Sequence, residues 1–357
     1  MATGRDGARI PSVLLEGAGG LDSRRIKSEY KGMLFPAPEP LVGIARLAAS
    51  SPCKEAKSQV EYYELESRSI LNKCSSRRMP FPYTINPYRG CEFGCRYCYA
   101  RYTHEFMGME DGNLFEQKIY VKAHAAGILR RELGRLPAGE IAMGTSTDPY
   151  QPAERRYGVT RSILEVFAGE RGRTLSITTK SNLIARDVDL LAAIARSNVL
   201  HVNMTITTTD AALARKLEPR APRPDLRLAA VRLLASAGIS VGVFLNPILP
   251  GLTDAVTNLD AVAAAAAEAG AQYLGGGILF LMPSAQKIFF PFLEAEFPEL
   301  AARYRARFAH SPYIRGEYAN MIRERVARIR SRHGLASSPR EYLPPIAPVD
   351  PQLPLFE

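Results

Sequence analysis

The sequence predicts an α/β protein built on a mostly parallel sheet. From about residue 82, short β-branched runs alternate with Ala- and Leu-rich segments of helical length. Strands alternating with such helices imply right-handed βαβ units. A hydrophobic content of 46% over 357 residues suffices for one large α/β domain with appendages, or for two ordinary domains.

Residues 1–78 mix Gly, Ser, Pro and charges with only short apolar stretches and are expected to form a partly ordered extension. The expected strands are 83–86, 141–145, 175–180, 201–206, 240–248 and 273–280. Between them lie helical stretches such as TRSILEVFAGE, DVDLLAAIARS and TDAVTNLDAVAAAAAEAG. Several begin with Asp or Thr, which cap helices by accepting free backbone N–H bonds. Six such strands suit either an open doubly wound sheet or an incomplete (β/α) barrel, and periodicity does not separate the two. Beyond residue 285 the chain becomes charged amphipathic helix, then a Pro-rich tail from Pro339.

No apolar run approaches the roughly 20 residues of a membrane-spanning helix, and no basic-then-apolar leader is present, so a cytoplasmic protein with no membrane partner is expected. The net charge of +10 suits a polyanionic partner such as DNA or RNA, although scattered helix-surface arginines supply much of it. Three of the five cysteines, Cys91, Cys95 and Cys98, fall within eight residues, which fits metal ligation in a reducing compartment better than a disulfide framework. Cys53 and Cys74 stand apart as packing residues or spare ligands.

The triplet lies in NPYRGCEFGCRYCYARYTHEF, directly after the first expected strand. A loop carrying Gly90 and Gly94 can turn tightly enough to aim three thiolates at one inorganic centre. Three thiolates leave one iron of a cubane cluster open to a chelating small molecule. The competing assignment is a structural zinc site completed by His104.

This C-x3-C-x2-C spacing, with Tyr97 before the last cysteine, resembles the radical S-adenosylmethionine (SAM) superfamily. GTSTDPYQPAE, TKSNLIARDVDLL, ITTTD, LEPRAPRP and PILPGLTD extend the resemblance, over about residues 80–285, to its spore photoproduct lyase-like group. The resemblance implies a partial (β/α)6 TIM-like barrel over 79–285, with 1–78 as the N-terminal extension and 286–357 as a C-terminal helical region and tail. It also implies a [4Fe–4S] cluster on Cys91, Cys95 and Cys98, bound SAM, and an external electron donor of flavodoxin or ferredoxin type.

By the same resemblance, Tyr97 and Tyr99 flank the SAM, Thr147 occupies a cofactor-contacting hydroxyl position, and Lys180 lies near the SAM carboxylate or ribose. Thr205 and Asn246 match cofactor-lining positions or are loop residues. Glu218, Arg220 and Arg223 form either an anion clamp or a brace for their loop, and Asp148, Tyr150, Gln151 and Glu154 are further substrate-side candidates. Spore photoproduct lyase carries a hydrogen-donating cysteine where Thr145 stands here. An alcohol O–H is too strong to give its hydrogen to a carbon radical as a thiol does, so the established repair route is not expected. The implied activity is reductive cleavage of SAM to a 5′-deoxyadenosyl radical acting on a nucleic-acid lesion or base. Its rivals are radical modification of a peptide or small metabolite, and a non-enzymatic nucleic-acid-binding protein with a structural metal.

Overall fold

A computed structural model describes residues 41–56, 59–74, 79–136 and 139–339; the first forty residues and most of the Pro-rich tail lie outside the described residues. Among the described residues eleven strands form two sheets: β1 (Cys53–Ala56), β2 (Glu61–Leu65), β3 (Leu71–Lys73), β4 (Tyr83–Ile85), β5 (Tyr88–Arg89), β6 (Lys118–Lys122), β7 (Glu140–Met143), β8 (Thr174–Thr179), β9 (Val199–Thr205), β10 (Ser240–Ile248) and β11 (Tyr273–Ile278).

The larger sheet has the order β11-β10-β9-β8-β7-β4-β3. Its six strands from β4 to β11 are all parallel and follow chain order, while β3 joins antiparallel to β4. That order decides between the two expected architectures. A doubly wound sheet reverses its strand order at a switch point; this one never reverses, so each helix packs on the same side, as in a barrel wall. The β11 and β3 edges do not pair with each other among the described residues, and the sheet stays open.

Strand parity separates its two faces. Leu175, Ile177, Val202, Met204, Val241 and Val243 are buried against Ile163, Leu164, Phe167, Leu191 and Ile194 of the helices Val159–Ala168 and Val188–Ser197. The register places Ser176, Thr178, His201, Asn203, Thr205 and Ser240 on the opposite, inner face. There Asn203 Nδ2 donates to Ser176 Oγ at 3.0 Å, and Tyr273 Oη donates to Asn203 Oδ1 at 2.8 Å. Tyr273 reaches it across Gly242, where a Cβ would lie 2.1 Å from the ring.

The expected caps follow a different logic. Asp187 makes no cap bond; its buried carboxylate accepts from Arg161 and Arg186 instead. The helix Val159–Ala168 is capped by Glu154, whose oxygens accept from Thr160 N and Arg161 N. Asp210 caps in the ordinary way, accepting from Ala212 N and Leu213 N. A carboxylate near a helix N-terminus offsets the free N–H groups whether it is adjacent in sequence or brought there by the fold.

The smaller sheet, order β1-β2-β6-β5, was not legible in the sequence and draws two strands from the stretch 1–78. Lys122 ends β6 nearly completely buried, with no hydrogen bond or ion pair to its ammonium among the described residues. Burial, then the Arg89 charge, lower its pKa from 10.5 to about 7. The folded state therefore penalises the charged form: the penalty is absent above about pH 10.5, grows as the pH falls, and is complete below about pH 7. Lys122→Met should raise stability at pH 6 by on the order of 2–3 kcal/mol, with a smaller gain at pH 9, in urea titrations. An equal or lower urea midpoint at pH 6 would overturn this reading of Lys122.

Candidate active site

The cysteine loop leaves β5 at the carboxyl end of the parallel strands, where βα-loops converge and ligands bind in folds of this class. Gly90 and Gly94 have φ of +81° and +63°, and a Cβ on Gly94 would lie 2.7 Å from Arg220 Nη2. Cys91 and Cys95 are buried and Cys98 half-buried, and all three are free thiols. Burial holds the Cys91 thiol well above its ordinary pKa and pushes Cys95 up to about 12. Such thiols keep their protons until a metal displaces them.

Among the described residues no group of three or more His, Cys, Asp or Glu converges as a single metal ion requires. His104, the expected fourth zinc ligand, contacts the Lys118 carbonyl at 3.0 Å through Nε2 and packs edge-on against Phe115. Burial lowers its pKa to about 4. Three thiols on one glycine-shaped loop suit a multi-iron cluster whose thiolates each take a different iron.

Thr147 and Gln151 fasten this loop to the end of β7. Thr147 Oγ1 donates to Gly90 O at 2.6 Å, Gln151 Nε2 donates to Gly90 O and to Thr147 Oγ1, and Gln151 Oε1 accepts from Glu92 N at 3.0 Å. Asp148 ties the same turn to β8: its oxygens accept from Thr179 Oγ1, Lys180 N and Tyr150 N. Burial raises its pKa despite those bonds. Glu154 accepts from Tyr88 Oη and Arg186 in addition to its capping bonds. The TDPYQPAE segment is therefore a brace that joins the cysteine loop, β7, β8 and the next helix.

Glu218 is fully buried. It accepts from Tyr97 Oη, Thr207 Oγ1 and Arg227 Nη2, while Arg227 also donates to Thr205 O at 3.0 Å and Pro222 O at 2.8 Å. Burial opposes ionisation of Glu218, but the Arg227 and Lys180 charges outweigh it and hold the carboxyl below its ordinary pKa. Lys180 lies on the inner face with Nζ 5.7 Å from the Tyr97 ring centre. Burial would lower its pKa, yet the carboxylates of Glu218 and Asp148 help keep it raised, so it is a cation beside the cysteine loop.

Tyr97, Lys180 and the three cysteines thus come together, and parity places Thr205 and Asn246 on the same inner face at the ends of β9 and β10. Asn246 Oδ1 is buried without a hydrogen-bond partner among the described residues. Tyr99 donates through Oη to Thr145 O, while the Thr145 hydroxyl meets Asn86. Glu218, Arg220 and Arg223 do not form one clamp. Arg220 pairs with Glu116 at 3.0 Å, Arg223 with exposed Asp225, and Glu218 with Arg227, which sequence reasoning missed. A cleft of about 610 Å³ adjoins the cysteine loop at Arg96 and Arg220 and is lined on its far side by Val60, Glu61 and Lys118.

Comparison with known proteins agrees with this geometry. The Radical SAM superfamily model matches residues 85–259. An uncharacterized protein of Mycobacterium tuberculosis is 38% identical over 289 residues, covering 80% of this chain and 84% of that protein. One from Methanocaldococcus jannaschii is 29% identical over 198 residues, covering 55% and 71%. Among solved structures, a point variant of spore photoproduct lyase superposes with TM-score 0.59 at 16% identity, covering 84% of this chain and 86% of that one. Spore photoproduct lyase complexed with dinucleoside spore photoproduct gives 0.57 at 16% identity, with 84% and 85% covered. At this identity the likeness is one of fold.

Proposed function

The chain belongs to the radical SAM superfamily, is an enzyme and uses a [4Fe–4S] cluster with SAM, and from that premise we propose that it generates its radical at Cys91, Cys95 and Cys98 and directs it onto a nucleic-acid base or lesion. The observation that carries the assignment of the cluster is the arrangement of three free thiols on one loop at the carboxyl end of a parallel sheet. Family membership replaces the non-enzymatic alternative.

When bound, the reduced cluster and SAM supply a 5′-deoxyadenosyl radical. The chain holds and orients them. Thr147 and Gln151 clamp the loop at Gly90 and Glu92, which fixes the directions of the thiols. Tyr97, which stands between two of the ligating cysteines in sequence, is held by Glu218 and lies beside Lys180. Lys180 supplies a positive charge for an anionic cofactor group, and the unpartnered Asn246 Oδ1 offers an acceptor from the inner face. An external donor of flavodoxin or ferredoxin type supplies the electron, and the cleft beside the loop, lined by Arg96, Lys118 and Arg220 together with Glu61 and Glu116, offers it a surface of mixed charge.

The nucleic-acid reading is supported by the net charge of +10 and by likeness in fold to a lyase solved with a dinucleoside lesion. Thr145 speaks against repair of that same lesion by a thiol hydrogen donor. The test is binding of the reconstituted protein to single-stranded oligonucleotides as salt is raised. Affinity that falls linearly with log[salt], with a slope magnitude of several, is expected for phosphate contacts. Binding that is absent or independent of salt would sink the nucleic-acid reading and favour a peptide or small metabolite, while deoxyadenosine formation under dithionite tests the radical chemistry separately.

A further inference from the structure

One exposed surface of the molecule leads directly to the cysteine loop, and it is aromatic. Phe280 follows β11 at the carboxyl end of the sheet. Its ring lies 4.8 Å from that of Tyr99, tilted at 42°, and 5.6 Å from that of Tyr313, nearly parallel at 22°. Tyr99 is the residue after Cys98, so the three rings form a ladder from the loop to the surface.

The outer rung reaches the surface. Tyr313 is 40% exposed, and the exposed Arg315 guanidinium stands 5.9 Å from its ring centre. Tyr313 is also held in place. It forms an antiparallel bridge with Phe280, and Leu281 N donates to Pro312 O at 2.8 Å. The helix Glu317–Arg332 that follows carries five arginines against two glutamates. A fixed aromatic plate beside exposed guanidinium groups matches what a nucleobase and its phosphate require. Base–aromatic stacking tolerates any base, and Arg pairs with phosphate oxygens.

We propose that Phe280, Tyr313 and Arg315 form a stacking platform for a base of single-stranded nucleic acid, outside the cavity where the radical reacts. An unpaired strand is required because only an unstacked base offers its face to the ring. The proposal rests on the nucleic-acid reading given above and names the surface that reading lacks.

The test is anisotropy of a labelled single-stranded DNA oligonucleotide with the full-length, anaerobically reconstituted protein, with melting temperature as the folding control. Tyr313→Ala is expected to weaken binding by about 5- to 150-fold, the range for losing one base–aromatic stack. Tyr313→Phe keeps the plate and should bind within about twofold of wild type, and Arg315→Gln should reduce the salt slope by about one. Tight, salt-sensitive binding by wild type that Tyr313→Ala retains in full would overturn the platform while leaving the nucleic-acid reading standing. No oligonucleotide binding by wild type would overturn both, and so would Tyr313-dependent binding of an aromatic peptide in its place.

Discussion

Cys95→Ala is expected to yield no detectable 5′-deoxyadenosine from SAM and dithionite, a loss well beyond the ten- to hundredfold typical of disturbing groups behind a metal ligand. The three thiols sit on one loop, and no described His, Asp or Glu converges with them to substitute for a missing ligand. His104 cannot move in, since its ring is packed against Phe115 and Tyr120 and tied to the Lys118 carbonyl. Iron and sulfide content should fall with activity, and Cys91→Ala and Cys98→Ala should behave alike. Cys53→Ala, at an exposed position in β1, should keep both. Deoxyadenosine formed by Cys95→Ala at a comparable rate would refute the assignment of the cluster.

Glu218→Ala should destabilise the fold by about 3–5 kcal/mol, the usual cost of leaving one partner of a buried ion pair uncompensated. Arg227 would keep its contacts to the Thr205 and Pro222 carbonyls but lose the Glu218 carboxylate, and the hydroxyls of Tyr97 and Thr207 would lose their acceptor. Against a total stability of roughly 5–15 kcal/mol this is a large fraction, measurable as a shift in urea midpoint. The double variant Glu218→Leu with Arg227→Met removes both charges and should recover most of the stability. It should not recover the rate of deoxyadenosine formation, because the Tyr97 hydroxyl then has no Glu218 carboxylate to hold it beside the cysteine loop. Parallel recovery of stability and rate would reduce the pair to a scaffold element without influence on the site, and an unchanged midpoint in Glu218→Ala would contradict the ion pair itself.

The six parallel strands were legible because most are apolar runs with β-branched residues buried on the helix-facing side, as in TLSITT of β8 and SVGVFLNPI of β10. CKEA, EYYEL and KIYVK of the smaller sheet were not, since charged and tyrosine-rich segments of four or five residues become strands only by pairing with one another. Asp187 and Glu154 show a similar limit. Local spacing suggested a cap at the first, and the family resemblance put the second among substrate-side candidates; neither signal shows the donors that the fold brings to these interior carboxylates, which are Arg161, Arg186 and the first turn of a neighbouring helix. Arg227 escaped notice because its helical context reads as surface, although it is 1% exposed.

By itself the sequence determined the alternation of strands and helices and the triplet of cysteines on a glycine-bearing loop, since both depend on residue type and spacing over a few positions. Only the tertiary structure decided that the sheet is singly wound, that Lys180, Thr205 and Asn246 share its inner face, and which acid each buried arginine meets. Those outcomes depend on contacts between residues far apart in the chain, where register, burial and the need to pair every interior charge select among partners that no local pattern distinguishes.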